Sequence, residues 1–316
     1  MIYKIIFFTF LSVILYFTIK NINFEIFLNN FDNDFIFALL LTQIFIFINF
    51  IIFTNRHIFF IDKNLKFTIA FNAIVLSIGL NYIMPGRVSE LIKATYIREK
   101  SNIGFSIGMG AVFLERFADL IILAFIAVVC ITFFTMDLQN NSLFIILVLI
   151  CSIVVVIFCE KYILFIIDKI IRNQKLKNFL NTTYLHIKKQ ILTKKFIIGL
   201  LYTFIIWFFS ALTIFIFLNI AGEIKLDAVE ILMILLGGSI GLAIPALPGG
   251  LGTFEAIIVA ILMKYGYEFN SALALAIGLR LNNMLFVVPY SLWIAFKNGT
   301  GVRNLYKDIT NKDSKL

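Results

Sequence analysis

The sequence predicts an all-α, polytopic membrane protein. Three observations indicate this fold class: 61% of the 316 residues are hydrophobic, only 14% are charged, and the mean hydropathy is +0.99. Because a soluble domain carries roughly a quarter charged residues, this chain has too few charges to cover a surface that faces water. Several apolar runs reach the length of a membrane-spanning helix, which gives about eight membrane helices. Alternating ten-residue strands, the mark of a membrane barrel, are not found.

The apolar segments follow one another along the chain, and the charge of the loops between them assigns their sides. The first segment is an uncleaved helix, because no small-residue cleavage site follows it. An excess of Lys and Arg marks cytoplasmic loops, so loop 54–66, stretch 160–195 and tail 297–316 are expected inside. We therefore predict one transmembrane domain, 1–316, with both termini in the cytoplasm. The predicted segments are 4–19, 35–53, 67–84, 104–135, 143–159, 197–220, 229–247, 253–266 and 271–296.

The side assignments predict that the segment from about 67 to 103 does not cross the membrane. Its ends both lie inside, because the loop before it is basic and helix 104–135 must finish outside. A re-entrant hairpin with a break at Pro85-Gly86 fits this requirement. The second arm, "RVSELIKATYIREK", is too polar for lipid and must face protein or water.

A second broken hairpin is predicted at about 229–266, with both ends outside. Its breaks are at Pro245 and Pro248, and loop charge leaves open whether it spans the membrane or re-enters it. Broken elements that enter from opposite faces form the midplane site of inverted-repeat transporters. Apart from the two Pro-Gly breaks, the sequence contains no convincing repeat.

The net charge of +9 is explained by where the cations lie. Many of them fall in the stretch 160–195, which also has apolar residues at helical spacing. It is either an amphipathic helix beside anionic head groups or a positive-inside loop, and neither reading involves nucleic acid.

No cofactor or metal site is indicated. His57 and His186 are expected in loops, far from Cys130, Cys151 and Cys159, and no ligand spacing occurs. The cysteines lie in apolar runs and are interpreted as packing residues.

The glycine-rich turn "PALPGGLGTFEA" precedes a predicted helix. Gly249, Gly250 and Gly252 allow a sharp turn and leave amides that could bind an anion, or they simply let two helices pack closely. Glu255 is expected either to favour the helix start or to pair with an arginine.

Charged residues inside predicted spans are the strongest candidates for a site. Glu115, Arg116 and Asp119 share neighbouring helical positions in one span, and Arg280 lies near the centre of the last. Each costs at least about 2.5–3.5 kcal/mol to insert, so each needs a partner or a wet cavity.

These charges have two interpretations. One is a salt-bridge cluster that holds the hairpins to the bundle. The other is a polar cavity in which arginines bind a phosphate through their planar donors while acids act as gate or proton partners. In the second interpretation the phosphate ligands are Arg87, Arg116 and Arg280, and the gating or proton partners are Glu90, Glu115, Asp119 and Glu255.

Four stretches together resemble the lysylphosphatidylglycerol synthase transmembrane-region family of flippase-like membrane proteins. They are "NYIMPGRVSELIKATYI", "VFLERFADLIIL", "IPALPGGLGTFEAIIVAIL" and "ALAIGLRLNNMLFVVPYSLWI". The family pattern is a P-G-R-x-G-E-like break, an E-R-x-x-D span, a P-G-G-x-G-x-x-E turn and a late intramembrane arginine. The match covers roughly residues 35 to 297, and Ser89 stands where the family usually has glycine.

The resemblance implies movement of an anionic phospholipid or a polyprenyl-linked lipid across the bacterial inner membrane. The tail after the last span leads us to expect a stand-alone member that lacks the synthase domain and is not an enzyme. Membrane lipids are the expected partners, with a lipid-modifying enzyme or glycosyltransferase as a further one. The alternatives are a scaffold for such an enzyme, without transport, and a transporter of a small soluble anion.

Overall fold

The computed structural model describes residues 30–61, 64–82, 88–134, 174–244 and 248–297. Within these ranges the regular elements are helices and no strand occurs, which confirms the predicted fold class. The predicted segments 4–19 and 143–159 lie outside the described residues. The helices are α1 (Asn33–Ile61), α2 (Phe67–Asn81), α3 (Val88–Lys100), α4 (Phe105–Phe134), α5 (Gln174–Ile191), α6 (Lys194–Ala221), α7 (Ala228–Ala243), α8 (Thr253–Lys264), α9 (Phe269–Met284) and α10 (Val287–Lys297), with a 3-10 turn at Pro248–Gly250.

Among the described residues, three stretches are long and apolar enough to cross a membrane. They are α1, α6, and α9 with α10 as one stretch, and each has 28 or 29 residues. At 1.5 Å per residue a 28-residue helix is about 42 Å long, more than the roughly 30 Å of hydrocarbon. Phe37, Leu40 and Ile44 on α1 are all more than half exposed, at the spacing of one helical face. An exposed apolar face of this kind suits contact with lipid.

Helix α1 extends to Ile61, so the predicted loop at 54–66 is wrong for its first part. Arg56 and His57 are helical and are 1% and 0% exposed, because both side chains have buried polar partners. Because Arg56 is buried in a helix, it no longer counts among the loop cations that were used to predict a cytoplasmic position for loop 54–66. The expectation that His186 lies in a loop is likewise wrong, because His186 belongs to α5.

Helices α2 and α3 pack against each other as a helical hairpin, and α7 and α8 form a second one. The first arms have 15 and 16 residues, about 22–24 Å, and neither alone crosses 30 Å of hydrocarbon. The first hairpin belongs to a core that also contains residues of α10, and the second to a core with residues of α9. Pro85, Gly86, Arg87 and Pro245, at the predicted breaks, lie outside the described residues.

The end of helix α2, where the first connection begins, meets the second connection at Gly249. Gly249, Gly250 and Gly252 have φ of +62°, +65° and +85°, which favour glycine, so the second connection turns sharply as predicted. A Cβ atom on Gly249 would lie 3.0 Å from the Cα atom of Tyr82, the residue that ends α2. The absence of a side chain therefore lets the two backbones touch.

Of the basic stretch 160–195, the structure describes residues 174–195. Helix α5 packs against α4, with Tyr184 buried and the buried Thr183 hydroxyl donating to the Ser106 carbonyl. Leu176 and Leu185 stay about half exposed. One side of the amphipathic helix therefore covers protein, while other apolar residues remain available to a membrane surface.

Candidate functional site

Two groups of charged side chains lie in the described part of the chain, one beside each hairpin, and most of their members are buried. The first, the histidine cluster, joins α1, α3 and α4. It consists of Arg56, His57, Glu90, Lys93, Glu115, Arg116 and Asp119. Such charges inside a membrane protein are tolerated only when they are paired, and each member of the cluster has a partner.

Glu115 is the most enclosed acid of the histidine cluster, at 1% exposed. One carboxylate oxygen lies 2.8 Å from Nδ1 of His57 and the other 2.6 Å from Nζ of Lys93. The carboxylate therefore links α1 to α3 through α4.

Asp119 forms the other half of the cluster. Its Oδ1 accepts from Nη1 of Arg56 at 2.7 Å, and its Oδ2 accepts from Nη1 of Arg116 at 3.1 Å. The pairing of Arg116 with Asp119, predicted from their spacing, is confirmed. Arg56 also donates to the Thr203 hydroxyl at 3.0 Å, which connects the cluster to α6.

Glu90 lies at the outer edge of the cluster, in the first turn of α3. Its carboxylate is 2.9 Å from Nε of Arg116. The Arg116 side chain is 44% exposed and that of Glu90 is 23% exposed. This ion pair is consequently the part of the cluster that a ligand can reach without disturbing the core.

The cluster is electrically balanced when His57 is neutral. Arg56, Lys93 and Arg116 supply three positive charges, and three acids offset them. Sequence reasoning missed Arg56, His57 and Lys93 because it assigned the first two to a loop and gave no partner to Lys93, which it placed in an arm that faces protein or water. The signal available was the acid pair on α4, which has more negative charge than Arg116 can neutralise.

The second group, the Arg280 site, forms where α9 passes the glycine turn. Nε of Arg280 donates to Oε1 of Glu255, and Nη2 donates to Oε2 at 3.0 Å, so the two planar groups meet side by side. The predicted pairing of Glu255 with an arginine is confirmed. The guanidinium carbon also lies 5.1 Å from the ring centre of Phe254.

The glycine turn gives carbonyl groups to this arginine. Nη1 of Arg280 donates to the Gly249 carbonyl at 2.9 Å, and Nη2 to the Gly250 carbonyl at 3.0 Å. The amide of Gly252 donates to Glu255 at 2.8 Å. Two of the three glycines therefore contribute carbonyls to the arginine, and the Gly252 amide binds the chain's own carboxylate. Anion binding by the amides of Gly249 and Gly250 stays a prediction.

A cavity of about 250 Å³ adjoins the Arg280 site, between α1, α6, α7, α8 and α9. Its walls are mostly apolar, and its polar lining includes Asn49, Ser210, Ser239 and Asn283. Arg280 is the one charged residue among the described residues that line it. Ligand pockets typically combine apolar walls with a few polar groups in this way.

The predicted phosphate ligands are not brought together in one cavity. Arg280 lines the cavity, whereas Arg116 belongs to the histidine cluster and does not line it. Arg87 lies outside the described residues. The contact between Tyr82, which also lines the cavity, and Gly249 joins the two hairpins. The observed arrangement is thus two charged sites beside two touching hairpin connections.

Comparison with known proteins places this arrangement in a family. The pattern of the "Lysylphosphatidylglycerol synthase TM region" family matches residues 1–290, a range that includes both hairpins and both charged sites. A UPF0104 membrane protein of Methanocaldococcus jannaschii is 27% identical over 218 residues, which are 67% of this chain and 90% of that protein. No solved structure matches the chain.

Proposed function

Because this chain belongs to the lysylphosphatidylglycerol synthase TM region family, we propose that it moves a lipid between the leaflets of the cytoplasmic membrane. The lipid is an anionic phospholipid or a polyprenyl-linked lipid, and the protein acts as a transporter rather than as an enzyme. Unassisted exchange is slow because a polar head group must lose its water to cross hydrocarbon. A polar route through the protein removes that barrier.

The observation that carries the proposal is the exposed arginine on α4. Arg116 shares its helical face with Phe113 and Leu120, which are 53% and 59% exposed. A guanidinium on an apolar, outward face is placed where a lipid phosphate can meet it. Its planar set of donors suits a phosphate, whereas Arg280 already makes four hydrogen bonds within the protein.

In this proposal the phosphate binds Arg116 in place of Glu90. Glu90 then acts as a gate, because losing its arginine frees the first turn of α3. The head group passes beside the hairpin connections to the cavity, where the pair of Glu255 and Arg280 anchors the second connection. The acyl or polyprenyl chains stay in the bilayer throughout.

The test is reconstitution into liposomes that carry a fluorescent phosphatidylglycerol or a fluorescent polyprenyl phosphate in both leaflets. A membrane-impermeant quencher then measures how fast the inner-leaflet probe reaches the outside. We expect exchange by the wild type and at least a tenfold slower rate for Arg116→Gln. Arg98→Gln is the matched control, because Arg98 lies in the last turn of α3 and has no ion pair in the histidine cluster.

Exchange no faster than in protein-free liposomes, for both probes, would refute the proposal. Uptake of a water-soluble anion without lipid movement would instead support transport of a small anion. If neither moves while a glycosyltransferase or another lipid-modifying enzyme co-purifies, the protein acts as a scaffold.

A further inference from the structure

His57 is a buried titratable group that lipid binding at Arg116 does not use. Its side chain is 0% exposed, at the α1 side of the histidine cluster. Nδ1 lies 2.8 Å from Glu115, and Nε2 has no hydrogen-bond partner among the described residues. A buried polar atom left without a partner costs free energy, so this nitrogen needs an explanation.

The contacts of Glu115 determine which nitrogen of His57 carries hydrogen. The Lys93 ammonium lies 2.6 Å from the other oxygen of Glu115, and this ion pair favours the ionised carboxylate, which can only accept hydrogen bonds. The nitrogen that faces it must therefore donate. Neutral His57 is protonated at Nδ1, and Nε2 carries a free lone pair that can accept one proton.

The charges around His57 are balanced without that proton. Helix α1 contributes Arg56, α3 contributes Glu90 and Lys93, and α4 contributes Glu115, Arg116 and Asp119. Helix α6 contributes the neutral Thr203, and α5 contributes His186, which bonds to the Phe60 carbonyl. A second proton on His57 leaves one unbalanced positive charge inside the protein, which is strongly unfavourable.

An anionic head group at Arg116 removes this imbalance. Its one negative charge offsets the proton, so four positive and four negative charges are then present. The two binding events therefore favour each other: each neutralises a charge that the other would leave uncompensated. The path from the lipid site to the proton site is short. Arg116 and Arg56 both donate to Asp119, and His57 is the neighbour of Arg56 in sequence.

We propose that the protein is a proton–lipid symporter in which His57 carries the proton. The inference rests on the proposed lipid transport. Nε2 takes one proton from water on the side where the head group binds Arg116, and it releases that proton on the other side when the head group leaves. Nδ1 keeps its own hydrogen, directed to Glu115, throughout the cycle. Displacement of Glu90 from Arg116 frees α3, the helix that carries Lys93, and this movement opens Nε2 to water.

The test uses the wild type in liposomes that contain fluorescent phosphatidylglycerol and the enclosed pH indicator pyranine. A gradient of one pH unit is imposed, and valinomycin with equal potassium on both sides holds the membrane potential at zero. One-to-one coupling gives lipid accumulation toward the alkaline side of up to about tenfold. It also gives proton entry that depends on phosphatidylglycerol and disappears when the only labelled lipid is zwitterionic phosphatidylcholine.

Two variants test which histidine carries the proton. His57→Gln is expected to bring the ratio of exchange with and without the gradient to one. His186→Gln, the same change at the other histidine, is expected to keep the wild-type ratio. The measurement on the wild type decides whether lipid and proton movement are coupled even if His57→Gln fails to fold.

The outcomes separate the two proposals. Lipid exchange that is equal with and without the gradient, with no proton entry, overturns the coupling and leaves lipid transport intact. An unchanged gradient response in folded His57→Gln overturns the assignment to His57. No exchange by the wild type under either condition overturns lipid transport and the coupling together.

Discussion

Removing one partner of the pair formed by Glu255 and Arg280 should destabilise the protein strongly. Their side chains are only 15% and 10% exposed, and Arg280 also holds the Gly249 and Gly250 carbonyls. Arg280→Gln leaves the Glu255 carboxylate with the Gly252 amide as its remaining protein partner. Glu255→Gln leaves a positive charge whose remaining contacts among the described residues are two glycine carbonyls and the ring of Phe254.

The loss of stability is large because the charge that remains in each single variant is buried. Breaking a buried ion pair by removing one partner costs about 3–5 kcal/mol. The double variant Glu255→Gln/Arg280→Gln leaves no uncompensated charge and should cost about as much as one single change. The coupling free energy between the two positions then equals the cost of one single change, about 3–5 kcal/mol, which is at or above the upper end of the usual range for neighbours.

Thermal unfolding in detergent, followed by the fluorescence of Trp207 and Trp293, measures these costs. The single variants should lower Tm by on the order of 10 °C. Glu268→Gln is the control, because this exposed residue precedes α9 and its side chain makes no capping hydrogen bond. Single changes that cost less than about 1 kcal/mol, or a double variant whose cost is the sum of the two, would refute the argument that this pair is a desolvated anchor.

Two further predictions concern the glycine turn and helix α5. Gly249→Ala should destabilise by about 1–2 kcal/mol in the same assay, because alanine is strained at φ +62° and its Cβ atom would meet Tyr82. Gly104→Ala is the control, because a Cβ atom there meets nothing within 4 Å, and it should change the free energy of unfolding by less than about 0.5 kcal/mol. Equal losses of stability at both sites would contradict the close approach of the hairpins. Burial lowers the pKa of His186 below 6.5, although the hydrogen bond to the Phe60 carbonyl opposes this shift. The folded state therefore favours the neutral ring. Its stability falls as the pH falls through 6.5, because the unfolded chain then binds a proton that the folded chain does not. Between pH 7.5 and 5.5, Tm should therefore fall further for the wild type than for His186→Gln, and an equal fall would show that His186 does not contribute.

The fold class and most helices were predictable because lipid imposes a requirement that composition alone reveals. An apolar run of sufficient length must be a helix, since its backbone groups have no water to bond. The end of α1 was not predictable in the same way. Charge counting treated Arg56 as a loop residue, whereas its partner Asp119 lies 63 positions away. Only the packing of α1 against α4 reveals that this arginine is buried.

The candidate site was predictable in part for a related reason. A charge in an apolar run needs a partner, and this argument paired Glu255 with an arginine and Arg116 with Asp119. It could not show that Lys93 turns inward from a polar arm to reach Glu115. Nor could it show that the two hairpin connections meet at Gly249, because that contact depends on the relative positions of helices far apart in sequence.

The structure also contains a similarity that the sequence conceals. In each hairpin the first turn of the second arm carries a glutamate, and the next helix carries its arginine: Glu90 with Arg116, 26 positions later, and Glu255 with Arg280, 25 positions later. The surrounding residues differ, so no sequence repeat is visible, but the hairpin, acid and arginine recur in the same order. The two pairs differ in access, since the Arg116 side chain is 44% exposed and that of Arg280 is 10% exposed. Arg280 is held by two glycine carbonyls as well as by Glu255, and Arg116 is held by Asp119 as well as by Glu90. Because the pair of Glu90 and Arg116 is the more exposed of the two, a head group that competes for an arginine should displace Glu90 more readily than Glu255. The proposed roles, lipid entry at the first hairpin and anchoring at the second, thus rest on the same kind of ion pair in two different surroundings.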